Sequence, residues 1–469
     1  MDNSICMNLE EDKFQDECGV FGIYSPEGYD VASITYFGLY ALQHRGQESA
    51  GIAVANGKTV NCYKNMGLVS DVFNEKILAD LKGFSAVGHV RYATAGASSL
   101  NNAQPITAQY KLGSLAIAHN GNLINADVVK ELLEDAGTVF QTSSDTEVIL
   151  HLIGRAAKKG IERAIVDAMQ AVKGSYATVI QTENKLIGVR DPNGIRPLCL
   201  GKINNSYVFS SETCALDTVG ADFVRDVNPG EIIIVDENGI KSINFAEKTK
   251  CETCSFEYIY FARPDSTMDG INVYESRVRA GMKLYEENPV EADVVIGVPD
   301  SGIPAAVGFS RASGIPFAIG FIKNKYVGRT FITPSQEMRE RAVSVKLNPL
   351  KANVEGKRVV IIDDSIVRGT TSRKLVETLR KAGAKEVHFR ISSPVVKFPC
   401  YFGIDTPYRS ELIGARLSVK EISDEIGSDS LGFLSIDALL ETLKKDKGFC
   451  LGCFSGVYPL SAPIENRMD

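Results

Sequence analysis

Hydrophobic positions fall into two textures along the chain, and the textures meet near residues 250–270. From Cys18 onward, apolar runs of strand length at Cys18–Tyr24, Gly51–Ala55, Ala86–Tyr92, Leu115–His119 and Tyr176–Gln181 alternate with stretches of helical periodicity. One helix has a marked start: Ser144-Asp145-Thr146-Glu147 has capping-box spacing and leads into Val148, Ile149 and Leu152. Many short strands mixed with helices predict layered sheets flanked by helices. In the second region Asp293–Val298 and Arg358–Ile362 are continuous runs rich in β-branched residues, a helix is predicted over Thr371–Ala382, and Lys385–Ile391 gives a third strand. Continuous strands separated by helices predict a parallel sheet covered on both faces. Between them, residues 323–350 are polar, rich in Arg and Lys and without clear periodicity, which predicts a long loop covering a site.

Composition narrows the class. A chain of 469 residues exceeds one core and predicts two domains. Hydrophobic residues at 44% and charged residues at 23% describe a globular protein, and no run approaches the roughly 18 apolar residues of a membrane span. A net charge of −7 with no basic stripe argues against a nucleic-acid partner. The N-terminal stretch MDNSICMNLEEDKFQDE is acidic and has no secretory pattern, so the 10 cysteines predict a reducing, cytoplasmic setting in which some thiols have a chemical role.

The run from Val359 to Thr371 carries the clearest chemistry of the second region. Its strand delivers Asp363 and Asp364 to the carboxyl end, where open α/β sheets bind ligands. The chain then turns through Gly369 into a helix whose free N–H groups suit a phosphate, and Thr370 and Thr371 add hydroxyls. An Asp pair alone reads as a solvated helix start; the whole run suits a ribose 5-phosphate. It resembles the phosphoribosyl pyrophosphate signature of type I phosphoribosyltransferases. The resemblance implies an α/β domain with a parallel sheet, with Asp363 and Asp364 on the ribose and its Mg²⁺, and Arg368, Gly369, Thr370 and Thr371 binding the substrate. Gly297–Gly302 resembles the family's pyrophosphate loop, which adds Ser301 to the implied Mg²⁺ ligands.

The first region groups its polar residues into Cys18–Gly22, Gln43–Gly46, Gly88–Thr94, His119–Asn122 and Ser143–Glu147. Hydrolysis of a primary amide calls for a nucleophile, a base and an oxyanion hole. Recognition of free glutamine also calls for a cation at its α-carboxylate and an anion at its α-amine. Singly these residues have plain readings: a small core cysteine, a surface ion pair, an Asn-Gly turn, a helix start. Together and in this order they resemble the N-terminal-nucleophile glutaminase domain, a four-layer αββα sandwich. The resemblance implies Cys18 as nucleophile, Arg91 on the α-carboxylate, Asn120 and Gly121 as oxyanion hole, and Asp145 on the α-amine. It makes the free α-amine of Cys18 the base, and an α-amine titrates at about 7.7–8.0. Because 17 residues precede Cys18, it further implies a propeptide cleaved before that residue.

From Cys18 to about Tyr458 the chain resembles the iron–sulfur, propeptide-containing bacterial type of the amidophosphoribosyltransferase family. The implied organisation is a propeptide at 1–17, a glutaminase at 18–250, a phosphoribosyltransferase at 251–445 and a cluster-binding tail at 446–469. The implied reaction converts glutamine, phosphoribosyl pyrophosphate and water to phosphoribosylamine, pyrophosphate and glutamate, the first committed step of purine synthesis. The loop containing Lys325–Thr330 resembles the family's flexible loop, which closes over the sugar so that neutral ammonia crosses a water-poor interior. The resemblance also implies a cytoplasmic homotetramer inhibited by purine nucleotides. For the cysteines, the spacing Cys251-x-x-Cys254 and Cys450-x-x-Cys453 reads as a zinc site, whereas the resemblance aligns Cys254, Cys400, Cys450 and Cys453 with the ligands of a [4Fe–4S] cluster; four thiolates suit either metal. Two rivals fit less well. Glucosamine-6-phosphate synthase has no place for Asp363–Thr371, and a regulator built on the phosphoribosyl fold has no use for Cys18, Arg91, Asn120 and Asp145.

Overall fold

The computed structural model describes residues 18–92, 99–324, 347–406, 408–443 and 448–461. The first region forms two antiparallel sheets. The seven-stranded sheet runs Asp222–Asp226, Cys199–Ile203, Ser206–Ser210, Gly19–Tyr24, Ser85–Arg91, Ser49–Ala55, Val60–Met66. The six-stranded sheet runs Gly239–Asn244, Glu231–Asp236, Leu186–Arg190, Gly174–Thr182, Gly113–Leu123, Ile106–Tyr110. Their inner faces share one core in which Val20, Ala53 and Val87 meet Ala116, Ala118 and Val179. Small residues let the sheets approach: a Cβ on Gly22 would lie 2.7 Å from Val179 Cγ1. The helices Val31–Ala41 and Thr213–Val219 cover the outer face of the first sheet through Val31, Leu39 and Leu216. The helices Asp145–Ala156 and Ile161–Ala171 cover the second through Ile149, Ile153 and Ile165. This is the αββα sandwich the resemblance implied.

All five predicted strands form, most of them with longer bounds. The capping box does not. Ser144 Oγ accepts from Thr146 N at 3.3 Å, while the Glu147 carboxylate turns back to the N–H groups of Gln141 (2.9 Å) and Thr142 (2.7 Å). Those free amides of the preceding turn take the oxygens that the box would have used.

The second region is built on a parallel sheet in the order Val294–Gly297, Arg358–Asp363, Glu386–Ile391, Ser430–Phe433. Alternate residues of the second strand enter opposite cores: Val360 and Ile362 pack with Phe309 and Leu284, Val359 and Ile361 with Leu375 and Leu379. Burial on both faces explains why the strand reads as an unbroken apolar run. The predicted helix is Thr370–Lys381. A short antiparallel ribbon, Phe321–Lys323 with Leu347–Pro349, brackets residues 325–346, so the expected loop Lys325–Thr330 and the 1–17 leader lie outside the described residues. Among the described residues no helix is long and apolar enough to cross a membrane.

Candidate active sites

Asp363 and Asp364 leave the carboxyl end of their strand almost wholly buried, each 1% exposed. The neighbouring strand brings its own loop alongside: Val298 N donates to Ile362 O at 2.9 Å, and a Cβ on Gly302 would lie 2.4 Å from that carbonyl oxygen. This approach lets Ser301 Oγ donate to Asp364 Oδ1 at 2.6 Å, while Ser365 Oγ donates to Oδ2 at 2.7 Å. The structure therefore joins the two segments that sequence had paired only by resemblance. Gly369 has φ +87° and caps the helix Thr370–Lys381, so the first helical N–H groups face the acid pair's end of the sheet. Arg368 instead reaches out to Glu411 at 3.1 Å. One cation went unnoticed in the sequence. Arg277 is buried, donates to the carbonyls of Tyr258 (2.7 Å) and Ala262 (2.8 Å), and lies within electrostatic reach of Asp364; burial pushes its pKa down to about 10. In a helix otherwise rich in charge, nothing in the pattern marks it.

In the sandwich, Cys18 directly precedes Gly19–Tyr24, and the pairing of Gly19 with Val90 sets it beside Arg91 at the end of the next strand. Gly46 permits the crowding, since a Cβ there would lie 2.6 Å from Arg91 N. Arg91 is buried, with its guanidinium 3.7 Å from Glu48. The Cys18 Sγ–H points to the Tyr92 carbonyl at 3.5 Å. Burial pushes the Cys18 thiol up to about 11 against the opposing pull of that carbonyl and Arg91, while Asp145 and Glu48 push it further up. At neutral pH the thiol keeps its proton, so it would need a base to act as a nucleophile. Glu48 and His119 were not foreseen as parts of this site, although both lie in or beside the motif segments.

Asn120 and Gly121 lie on Gly113–Leu123. The neighbouring strand Ile106–Tyr110 pairs only as far as Ile117, so beyond that point this strand has, among the described residues, a strand partner on one side only. On the open side His119 N donates to Gln104 Oε1 (2.7 Å) and Leu123 N to Asp145 Oδ2 (2.9 Å). Strand alternation turns the Gly121 N–H to that same side. Asn120 is 1% exposed, and neither its Nδ2 nor its Oδ1 has a partner among the described residues. Burial alone would raise the Asp145 pKa, but His119, with Nδ1 3.6 Å away, and the Leu123 and Thr146 amides hold it below the usual carboxylate range.

Cys254 and Cys450 face each other in a short parallel pairing of Thr253–Cys254 with Phe449–Cys450. Cys453 O accepts from Lys397 N (2.9 Å) and Phe398 N (3.1 Å), which brings Cys400 near. Burial, and then their mutual repulsion as thiolates, push Cys450 up to about 12 and Cys254 and Cys453 higher. Cys251 stands apart, its thiol 3.5 Å from Thr253 Oγ1. Among the described residues, no group of three or more Cys, His, Asp or Glu side chains stands ready to hold a metal ion.

Comparison with known proteins separates the halves in the same way. Residues 89–218 match a glutamine amidotransferase domain family, and residues 275–392 a phosphoribosyl transferase domain family. The class is thus an enzyme that couples glutamine amide transfer to phosphoribosyl transfer. The chain is 52% identical to the amidophosphoribosyltransferase of Bacillus subtilis over 95% of its own length and 94% of that protein's. It is 49% identical to that of Methanocaldococcus jannaschii, over 96% and 98%. A solved structure of glutamine phosphoribosylpyrophosphate amidotransferase from B. subtilis, complexed with ADP and GMP, superposes with a TM-score of 0.90 at 50% identity, over 95% of this chain and 99% of that one. The chain belongs to the amidophosphoribosyltransferase family.

Proposed function

We propose that this chain makes 5-phosphoribosylamine, pyrophosphate and glutamate from phosphoribosyl pyrophosphate, glutamine and water, the first committed step of purine synthesis. The observation that carries the residue assignments is the open edge at Asn120–Gly121. There a buried side-chain amide without a partner among the described residues and an outward-turned N–H share the strand that anchors Asp145. Glutamine enters with its α-carboxylate on Arg91 and its α-amine on Asp145. Cys18 Sγ attacks the amide carbon, its proton passes by way of the base to the departing ammonia, and Asn120 Nδ2 and Gly121 N–H hold the oxyanion. Water then hydrolyses the thioester to glutamate. In the second site Asp363 and Asp364 hold the ribose hydroxyls, and the amides and hydroxyls of Gly369–Thr371, with Arg368 swung inward from Glu411, hold the phosphate. The ammonia lone pair displaces pyrophosphate at the anomeric carbon.

Several finer features belong to the same proposal. A thiol at about 11 needs a base, and the α-amine of Cys18, which titrates at about 7.7–8.0 and is freed by removal of residues 1–17, suits that role. The oxygens of Ser301, Asp363 and Asp364 suit Mg²⁺, which when bound neutralises pyrophosphate charge. Cys254, Cys400, Cys450 and Cys453 would repel one another as thiolates, a repulsion that a bound metal would relieve, which suits the [4Fe–4S] reading over a zinc site using Cys251. The ADP and GMP in the B. subtilis neighbour support purine nucleotides as ligands, and their role as inhibitors is carried over from the family. A cytoplasmic homotetramer is carried over from the family.

Cys18→Ala tests the division of labour. Glutamine-dependent phosphoribosylamine formation is expected to vanish, while ammonia-dependent formation stays near wild type. Equal loss of both in a folded variant would overturn the assignment.

A further inference from the structure

Among the described residues, the end of the Gly113–Leu123 strand that carries Asn120 and Gly121 lacks a strand on one side, yet an oxyanion hole must be rigid to work. Its support comes from the other half of the molecule. Asn122 Nδ2 donates to Tyr401 O at 2.9 Å. Ser175 Oγ, opposite Asn122, donates to Phe402 O at 2.7 Å, and Asn122 N in turn donates to that Oγ at 3.3 Å. The buried Arg196 also donates to Phe402 O and lies 3.5 Å from Glu257. Gly403, at φ +98°, lies flat on Gly121: a Cβ there would be 3.0 Å from Gly121 C and 3.2 Å from its Cα. Behind this segment, Tyr458 packs against the rings of Tyr401 and Phe402 and donates to Pro399 O at 2.6 Å.

We infer that Tyr401–Gly403, a segment of the phosphoribosyltransferase half, is the positioning element of the glutaminase oxyanion hole. The inference rests on the assignment of Asn120 and Gly121 above. The role inferred for these three residues is to fix the peptide at Gly121 and not to bind glutamine, so the glutaminase site is complete only when the second half is seated on it. Gly403 is glycine because a side chain would push into Gly121 and because its backbone is left-handed.

Gly403→Ala and Asn122→Ala in the full-length enzyme test this, with Asn120→Ala as reference. Five quantities are measured: glutaminase kcat and KM, the ammonia-dependent rate, Cys18 alkylation by iodoacetamide, and inhibition by glutamate γ-semialdehyde, an aldehyde whose adduct with the thiol places an oxyanion in the hole. A misplaced donor raises the transition state alone, so kcat should fall on the order of 10- to 100-fold and aldehyde inhibition should weaken in parallel. The glutamine KM, the alkylation rate and the ammonia-dependent rate should stay within about twofold. Unchanged kcat in both variants, or a matching fall in the ammonia-dependent rate, would overturn the inference. If Gly403→Ala fails to fold, Asn122→Ala decides the matter by the same readouts. Asn120→Ala separates the two levels: if it too leaves kcat unchanged, the oxyanion assignment itself fails; if it alone lowers kcat, only the positioning role does.

Discussion

His89 shows what a single buried ring contributes. It is fully buried, and its Nε2 lies 3.0 Å from the His119 carbonyl, which requires that nitrogen to carry the hydrogen. Burial pushes its pKa down to about 3, the carbonyl bond opposes the shift, and Arg91 adds to it. The ring is therefore neutral in the folded chain at any pH near neutrality, whereas in the unfolded chain it gains a proton below about 6.5. Stability is lost as pH falls through that value and continues to fall toward the folded pKa. Between pH 7 and pH 5 the loss from this group is about 2 kcal/mol. Thermal melts across that range should be distinctly flatter with pH for His89→Gln than for wild type, and an unaltered slope would remove His89 as the cause. Sequence alone places His89 two residues before Arg91 in a glutaminase motif but does not distinguish a proton-transfer role from a structural one. Only burial and the carbonyl partner do.

At the scale of elements, the loop Asp363–Gly369 and its helix are expected to bind the phosphate as one unit. Gly369→Ala would force φ +87° on a residue with a side chain, and the new Cβ would lie 2.7 Å from Ile413 Cδ1. The left-handed cost alone is about 1–2 kcal/mol, so the KM for phosphoribosyl pyrophosphate should rise roughly tenfold while Cys18 alkylation is untouched. An unchanged KM in steady-state assays would show that the phosphate is bound elsewhere. This element was readable in the sequence because its strand is buried on both faces and its helix begins at a glycine. Other strands were not. Val60–Met66 is an edge strand that alternates half-buried and exposed positions, and polar Asn61, Lys64 and Asn65 interrupt its sequence, VNCYKNM, so no apolar run marks it. Ser430–Phe433 is four residues long, too short for a periodicity to register. The carboxylate and arginine motifs were visible by resemblance, but the contacts that join them come from register. Gly19 opposite Val90 is a fact of sheet pairing that no local pattern contains.

For the whole molecule the deciding contacts cross between the halves. Arg45, in the Gln43–Gly46 segment beside Arg91, is wholly buried and ion-paired to Glu212 and to Glu257 of the second region. Arg45→Met would remove the cation that the two carboxylates share, leaving Glu257 with Arg196 at 3.5 Å and Glu212 with His44 at 2.7 Å, and a loss of about 3 kcal/mol is expected in denaturant titrations. A loss below about 1 kcal/mol would mean that water or rearrangement replaces the pair. The cysteines tie the same junction from the other side, since Cys254 follows the first half and pairs in register with Cys450 near the end of the second. Spacing favours Cys251 as a ligand, but Cys251 shares its thiol with Thr253, whereas Cys254, Cys400, Cys450 and Cys453 act electrostatically on one another. Protein purified without oxygen should be brown, with about four irons per chain. Cys251→Ser should keep both iron and colour, while Cys400→Ser should lose them and, with the Tyr401–Gly403 segment no longer anchored beside its ligand, should lose glutaminase activity as well. Colourless protein carrying about one zinc per chain, lost in Cys251→Ser and retained in Cys400→Ser, would reverse the assignment in favour of the spacing.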